Sequence, residues 1–264
     1  MKYYFSVCAI FKDEADYLDE WIKFHHLVGA QNFYLYNNNS TDNYEDLLSP
    51  YIAQGLVDLT EFPHNKDQQR LAYIDMIKKA KGESKWVACI DIDEFLFCPD
   101  MKKVPDLLKE YEDYSALCVN WLIYGSSGHD QEPQGNVVDN YIMHAEKSYL
   151  GNDHIKSIIQ PEKTIMPRNG HCFEFSEGYA VNENFESVSD SFSKHSTEKI
   201  RLNHYFCKSR QYYQTKIDKG RVDIQEKRSW SNFNALDKNE IKDRSASNVY
   251  KNYLDTADFF VNHP

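Results

Sequence analysis

The sequence predicts an α/β protein in which a mixed, mostly parallel sheet is flanked by helices. Its 264 residues suffice for one large α/β domain or two smaller ones. Hydrophobic residues make up 41% and charged residues 27%, the proportions of an ordinary globular chain. Strand-like and helix-like patterns alternate through the first hundred residues, and this alternation is typical of a parallel, doubly wound sheet.

The alternation begins with an apolar run over 3–10, which predicts a buried strand. Apolar residues at helical spacing then predict a helix over 13–28, and Gly29 is a plausible stop for it. The same criteria predict further strands over 32–36, 56–61 and 86–91, and helices over 43–53 and 66–80.

The pattern changes after residue 100. It predicts a strand over 114–124, a polar loop over 125–140, short strands and turns over 141–206, and a polar, mostly helical region over 208–260. Trp230 and Phe233 are the expected apolar anchors of that last region. The pattern therefore divides the chain near residue 100 into an α/β part and a later α+β part, either as two domains or as one large domain with an extension.

The distribution of charge bears on the kind of ligand. The net charge of −11 argues against nucleic-acid binding, which depends on cationic surface. Residues 199–228 nevertheless hold nine basic and only three acidic side chains. This basic segment indicates a small anionic ligand such as a diphosphate, with a solvated helix face as the alternative.

Cysteine and hydropathy patterns bear on the compartment. The six cysteines are scattered without a CxxC pair, which is typical of small core residues in a reducing compartment. The apolar run at the start is about eight residues long and ends in charges, which indicates a buried strand rather than a signal peptide. No stretch approaches the roughly 20 apolar residues of a membrane span. We expect a cytoplasmic protein without a transmembrane segment, or one associated peripherally with the inner membrane.

The strongest chemical signal is the pair Asp91 and Asp93, where the apolar strand 86–91 ends. In a parallel sheet the carboxyl ends of the strands line the ligand crevice. Both side chains face the same way if the chain stays extended there, since side chains alternate with a period of two. Two hard oxygen ligands suit Mg²⁺ or Mn²⁺, while a solvated pair that caps a turn is the alternative.

Two further signals point to the same edge of the sheet. The polar run 37–42 follows the second strand, and its Asn side chains suit a base edge or a ribose, although Ser40 or Asp42 also suits a helix cap. His204 can complete the coordination of a Mn²⁺ ion, and Lys208 can pair with phosphate. A structural histidine is the alternative, and His171 is the rival ligand.

Four sequence blocks carry a resemblance to a known family: VCAIFKDEADYLDEWIKFHHLVG, FYLYNNNSTDN, KWVACIDIDEFLF and NHYFCKS. They resemble glycosyltransferase family 92, which is related to the larger family 2 of nucleotide-sugar transferases. The resemblance covers nearly the whole chain and is most specific over the first 98 residues. It implies a GT-A fold, with a nucleotide-sugar-binding half over 1–100 and an acceptor-side half over 101–264.

The resemblance also implies a function. Better known members look like inverting galactosyltransferases that use UDP-galactose and manganese, so we expect Mn²⁺ (or Mg²⁺), a UDP-hexose donor and an oligosaccharide or glycolipid acceptor. Eukaryotic members usually carry a membrane anchor and stem, so this chain resembles a bacterial cytoplasmic member.

Site residues follow from the resemblance position by position. Asp91 and Asp93 take the place of the metal-binding DxD, and Asn38 stands where family 2 enzymes often carry a uracil-contacting Asp. His204 and Lys208 resemble the late His and downstream Lys that hold metal and diphosphate in many GT-A enzymes. The expected contacts to the nucleotide sugar are Lys12, Glu14, Asn38, Asp42, Arg70, Ile92 and Lys208.

Inversion requires a base within hydrogen-bond reach of the acceptor hydroxyl. We rank the carboxylates Asp130 and Glu174 first, and the alternatives are Glu132 and Asp243. The expected acceptor floor consists of Trp121, Tyr124 and His129, although Trp121 also suits the core.

Two other classes of function remain open at this point. One is a divalent-metal phosphoesterase that acts on a nucleotide or sugar phosphate, and it would need a second cluster of metal ligands. The other is a carbohydrate-binding protein with a degenerate site, against which the intact Asp91 and Asp93 argue.

Overall fold

A ten-stranded mixed sheet forms the centre of the protein, in a computed structural model that describes residues 1–219 and 228–256. The strands are β1 Tyr3–Phe11, β2 Asn32–Asn37, β3 Val57–Glu61, β4 Ser84–Cys89, β5 Glu94–Phe97, β6 Ala116–Ile123, β7 Met143–His144, β8 Ile155–Ile159, β9 Thr164–Pro167, β10 Phe173–Phe175, β11 Ala180–Val181, β12 Ser187–Val188, β13 Arg201–His204 and β14 Ile241–Lys242. The α-helices are α1 Ala15–Leu27, α2 Tyr44–Ala53, α3 Gln68–Ala80, α4 Val104–Leu108, α5 Val137–Asn140, α6 Arg210–Lys219, α7 Trp230–Leu236 and α8 Ser245–Thr256.

The strand order confirms the predicted α/β class. It runs β12-β11-β6-β8-β4-β1-β2-β3, and β1 pairs in parallel with both β2 and β4. Strand β8 is antiparallel to its neighbours β4 and β6, so its amino end lies at the edge where β4 ends. Strand β13 joins β6 in parallel and β5 in antiparallel pairing. The arrangement is that expected of a GT-A fold. Strands from both expected halves, 1–100 and 101–264, belong to this one sheet.

Helices cover both faces of the sheet, and successive side chains of β1 therefore enter two different cores. Phe5, Val7 and Ala9 point into the core that also holds α1 and α2. Cys8 points into the opposite core, which contains the buried face of α3. The strands and helices predicted over the first hundred residues are therefore confirmed, with ends shifted by at most a few residues.

The later part of the chain also follows the predicted pattern. Strand β6 lies within the predicted strand 114–124, and short strands fill 141–206. The polar loop 125–140 ends in the short helix α5. In the C-terminal region Phe233 is buried with Cys207 and Tyr213, and Trp230 packs against them, so both expected anchors are confirmed.

Two sequence expectations can be compared directly with the structure. All six cysteines are buried and free. Among the helices of residues 1–219 and 228–256, none has the length and apolar character needed to cross a membrane.

Candidate functional site

A cleft opens at the sheet edge where β1, β2 and β4 end. Its main cavity has a volume of about 310 Å³, and a second cavity of about 210 Å³ shares Lys12, Gln69, Asp91 and Arg228 with it. Asn38 lines the second cavity, whereas Trp121 and His171 line only the main one. Polar side chains after parallel strands therefore do converge on one crevice, as the sequence predicts.

The strand order arranges these side chains in a row. Going across the edge, Asn38 follows β2, Lys12 follows β1, Asp91 follows β4, Lys156 lies in β8 and Trp121 lies in β6. Neighbouring strands are about 4.8 Å apart, so the four steps from β2 to β6 span about 19 Å. The cleft is thus an elongated groove, with the polar side chains of Asn38 and Lys12 at one end and the aromatic ring of Trp121 at the other.

Asp91 lies in the middle of the groove. Strand β4 ends at Cys89, and the Glu94 N–H donates to the Asp91 carbonyl oxygen at 3.1 Å, so the chain turns here instead of staying extended. Gln69 Nε2 donates to Asp91 Oδ1 at 2.6 Å, and Lys156 Nζ donates to Asp91 Oδ2 at 2.8 Å. Both oxygens of this carboxylate already have a partner.

Lys156 is a buried cation, and the carboxylates around it fix its charge. Burial opposes its protonation, but Asp91 and Glu94 outweigh burial and raise the pKa of Lys156 above its usual value. Glu94 is fully buried behind the turn, where desolvation raises its pKa well above the usual range. Lys156 therefore carries a positive charge next to Asp91.

Asp93 and His204 meet on the other side of the turn. His204 Nε2 lies 3.5 Å from Asp93 Oδ1, and Lys216 Nζ lies 2.7 Å from Asp93 Oδ2. Burial would raise the pKa of Asp93, but Lys216 and His204 outweigh it and hold the pKa well below the usual range. Asp93 is thus a stable carboxylate in a mostly buried position.

The donor atoms at Asp93 and His204 suit a divalent cation. Two ligands that each lie about 2.1 Å from one ion are themselves about 3–3.4 Å apart, close to the distance observed between Asp93 Oδ1 and His204 Nε2. His204 Nδ1 is buried and lacks a hydrogen-bond partner within the described chain. No three His, Cys, Asp or Glu side chains of residues 1–219 and 228–256 form a ready-made metal cluster. The atoms that suit a metal ion are therefore those of Asp93 and His204. Both oxygens of Asp91 already accept hydrogen bonds, from Gln69 and Lys156.

Lys208 lies behind the groove instead of lining it. Its Nζ is fully buried, stands 3.1 Å from the centroid of the Tyr17 ring, and has no hydrogen-bond partner among the described residues. Burial lowers the pKa of Lys208 to about 8. Its φ of 46° lies in the left-handed region, which a lysine rarely adopts. The structure thus brings Lys208 near the cleft but separates it from the cavity.

Of the basic segment, Lys216 and Arg228 line the cleft. Arg201 pairs with Asp243, and Arg210 lies over the ring of Trp230, both away from the cavity. Arg221, Lys227 and the side chain of Lys219 lie outside the described residues.

The expected nucleotide contacts divide into two groups. Lys12, Glu14 and Ile92 line the main cavity, and Asn38 lines the second one. Asn38 Nδ2 donates to the carbonyl oxygens of Phe62 and His64, which orients the amide.

Besides Lys208, two of the expected contacts lie outside the cleft. Asp42 Oδ2 accepts the N–H of Ala15 at 2.8 Å, next to the start of α1, and Arg70 pairs with Asp67. Neither side chain lines the cleft.

The carboxylates expected to act as base are not brought to the cleft. The side chain of Asp130 is 82% exposed and lies 3.8 Å from Arg210. Glu174 lies in β10, pairs with Arg168 at 3.6 Å and lines a separate cavity. The polar loop and β10 both fold away from the row of strand ends, and chain order alone does not reveal this.

The two alternative candidates for the base, Glu132 and Asp243, also accept hydrogen bonds from other residues. Glu132 accepts hydrogen bonds from the hydroxyls of Tyr17, Tyr141 and Ser209. Asp243 accepts one from Tyr124.

The wall of the cleft at the β6 end is aromatic and imidazole-rich. The Trp121 ring lies 4.3 Å from the ring of His204, 4.9 Å from His154 and 5.4 Å from His171, measured between centroids. Of the three residues expected as an acceptor floor, Trp121 lines the cleft. Tyr124 is buried and His129 contacts the Asn140 carbonyl, so neither faces the cavity.

Sequence reasoning missed Lys156 and Gln69. A lone lysine inside the apolar run 155–159 was the available signal for Lys156, since a buried lysine needs an anionic partner. Gln69, on the predicted helix 66–80, gave no comparable signal.

The chain belongs to glycosyltransferase family 92, whose sequence model matches residues 2–256. A family 92 protein of Ricinus communis is 28% identical over 192 residues, which cover 67% of this chain and 32% of that protein. One of Oryza sativa subsp. japonica is 28% identical over 182 residues, 65% of this chain and 30% of that protein. The chain thus matches about a third of the length of these relatives. Both are plant proteins, so they lend no support to a bacterial origin.

Solved structures show partial likenesses of fold. Residues 1–349 of S. aureus TarS give a TM-score of 0.42 at 16% identity, over 61% of this chain and 47% of that one. The mannosyltransferase PcManGT from Pyrobaculum calidifontis, solved with GDP-Man and Mn²⁺, gives a TM-score of 0.37 at 14% identity, over 45% and 36%.

Proposed function

We propose that this protein is a metal-dependent, inverting glycosyltransferase. It moves a hexose, with galactose favoured, from a UDP-sugar to a hydroxyl of an oligosaccharide or glycolipid. The observation that carries the proposal is the pairing of Asp93 with His204 in a groove that also holds the buried cations Lys156 and Lys216. Membership of family 92 supports the type of reaction.

The metal site of this proposal consists of Asp93 and His204, with Asp91 beside them. A Mn²⁺ or Mg²⁺ ion held there would supply positive charge to the diphosphate of the donor. Lys216 and Lys156 line the same cavity, and each has its ammonium group within 2.8 Å of a carboxylate oxygen. These ammonium groups stabilise the negative charge that develops on the leaving diphosphate.

The two ends of the groove receive the two ends of the donor. Asn38 and Lys12 lie at the β2–β1 end, where a polar amide suits the base or ribose. Trp121 lies at the β6 end among the rings of His154, His171 and His204, and this aromatic wall suits a sugar ring. Residues 1–100 thus hold most of the nucleotide, and residues 101–264 supply the sugar and acceptor side, with His204 and Lys216 reaching the diphosphate.

A donor screen tests this function. Purified protein with Mn²⁺ is offered UDP- and GDP-sugars and a panel of oligosaccharides, and release of the nucleotide and formation of the product are both measured. We expect acceptor-dependent release of UDP and a new glycosidic bond with inverted anomeric configuration. Asp93→Asn should abolish transfer, whereas Asp58→Asn, at an exposed position on β3, serves as the matched control.

Three outcomes would contradict the proposal. Hydrolysis of the nucleotide sugar at the phosphate, without acceptor, would indicate a phosphoesterase. Glycan binding with no turnover of any donor would indicate a carbohydrate-binding protein. Full transfer by Asp93→Asn would place the site elsewhere.

A further inference from the structure

We infer that His171 is the catalytic base that accepts the proton of the acceptor hydroxyl. The inference rests on the proposed function and names the group that the reaction still lacks, since neither Asp130 nor Glu174 reaches the cleft. It is carried by the orientation of the His171 ring, by the partners of the carboxylates in the cleft, and by the position of His171 along the groove.

One hydrogen bond fixes the orientation of the imidazole. His171 Nδ1 lies 2.8 Å from the carbonyl oxygen of Ile155. A carbonyl oxygen only accepts, so Nδ1 must carry the hydrogen. In the neutral ring Nε2 then has a free lone pair, and His171 lines the main cavity. The edge-to-face contact with Trp121 holds the ring from the side.

The carboxylates that line the main cavity already have other partners. Asp91 accepts from Gln69 and Lys156, and Asp93 accepts from Lys216 and faces His204. Glu14 accepts from the hydroxyl of Tyr212. These three carboxylates contact cations or donors in the middle of the groove or near the end of β1. Within the described part of the chain, none of the carboxylates lining that cavity lies on the Trp121 wall.

The position of His171 along the groove is the one that the reaction requires. The Ile155 carbonyl that binds it belongs to β8, one strand beyond Asp91 and next to β6 with Trp121. If the nucleobase of the donor lies near Asn38 and its diphosphate lies at the Asp91–Asp93 turn, the sugar of the donor extends towards β8 and β6. His171 therefore stands where the anomeric carbon and the acceptor hydroxyl meet.

The surrounding charges keep the ring unprotonated before the donor binds. Lys156, Asp91 and His154 are the titratable groups whose charges act most strongly on the His171 ring. Burial and the positive charge of Lys156 lower the pKa of His171 to about 4. As the bond to the sugar breaks, the leaving diphosphate gains negative charge, and this charge favours the protonated imidazole.

The step balances without a further reactant. Nε2 takes the proton of the acceptor hydroxyl while the oxygen lone pair forms the bond to the anomeric carbon. The bond between that carbon and the β-phosphate oxygen breaks, and its electron pair leaves with UDP. The imidazolium later returns its proton to water.

His171→Gln and His171→Ala test the inference. General-base catalysis contributes about 10²–10⁴-fold, so we expect kcat to fall by about that factor in both variants. The Kd of UDP, measured with Mn²⁺, should stay within about threefold, because the base does not bind the diphosphate. Added imidazole should restore part of the rate of His171→Ala. His195→Ala is the matched control, since His195 Nδ1 also contacts a carbonyl oxygen but lies outside the cleft.

Each contrary result has its own meaning. If His171→Gln transfers sugar at more than a third of the wild-type kcat, His171 is not the catalytic base. The proposed glycosyltransferase function would still stand. A parallel loss of Mn²⁺ and UDP affinity would make His171 a metal ligand and also overturn it. If the wild-type protein transfers no sugar from any donor, the proposed function is wrong, and the assignment of His171 as its catalytic base is wrong as well.

Discussion

Replacing Lys216 with methionine removes one partner of the buried ion pair at the centre of the site. The side chains of Lys216 and Asp93 are only 7% and 14% exposed, and their charged atoms are 2.7 Å apart. Lys216 Nζ also donates to the Phe206 carbonyl oxygen at 2.9 Å. Removing one member of such a pair costs about 3–5 kcal/mol, because the other charge stays buried. Methionine keeps the apolar stem, so we expect a loss of about 3 kcal/mol.

The assay is urea denaturation at pH 7, with a chelator or with excess Mn²⁺. If Asp93 binds the ion, Mn²⁺ replaces the lost positive charge and should stabilise Lys216→Met more than the wild type. In the wild type the pKa of Asp93 lies below its usual 3.8, so the contribution of the pair is present above about pH 4 and is lost as the pH falls towards the folded-state pKa. The variant should lack this acid-sensitive contribution.

Lys78→Met, at an exposed position on α3, is the matched control and should change the free energy of unfolding by less than about 0.5 kcal/mol. An equally small change in Lys216→Met would refute the reasoning, since the Asp93 carboxylate would then not depend on this partner. An equal response of wild type and variant to Mn²⁺ would refute the placement of the ion at Asp93.

Three further predictions concern other parts of the protein. His204→Ala should weaken Mn²⁺ affinity and turnover together, with partial recovery of the rate at high Mn²⁺; a variant that only melts earlier would make His204 structural. Glu20 accepts the N–H groups of Val137 and Val138, and burial raises its pKa to about 7. Stability from this group should therefore fall by up to about 3 kcal/mol as the pH rises from 4.5 to 7, and a denaturation series should show a flatter curve for Glu20→Gln. Phe233→Ala should cost about 3 kcal/mol, read as a lower Tm, and an unchanged Tm would mean that the cluster with Cys207 and Tyr213 contributes little.

The sequence predicted most of the fold because the relevant signals are local. Apolar periodicity fixes where β1 to β4 and α1 to α3 lie, and the alternation of strands and helices then fixes their parallel pairing. The same logic placed Asn38 and Asp91 on one edge, since both follow strands of that sheet.

Contacts between distant segments could not be predicted in this way. Lys156 reaches Asp91 only because β8 inserts between β4 and β6, 65 positions along the chain from its partner. His171 faces the cleft because its ring is tied to β8, and no periodic pattern marks that contact. Asp130 and Glu174 were chosen for their chemistry, but the folding of a loop and a short hairpin decided their positions.

Calorimetric titration of UDP into the wild-type protein, with Mn²⁺ and then with a chelator, tests the central claim most directly. The claim is that Asp93 and His204 hold an ion through which the cleft binds a nucleoside diphosphate. A charge-assisted contact is worth about 1.5–3 kcal/mol, so we predict that removing Mn²⁺ raises the Kd of UDP by about tenfold to a hundredfold. A Kd that the chelator leaves unchanged would contradict the account.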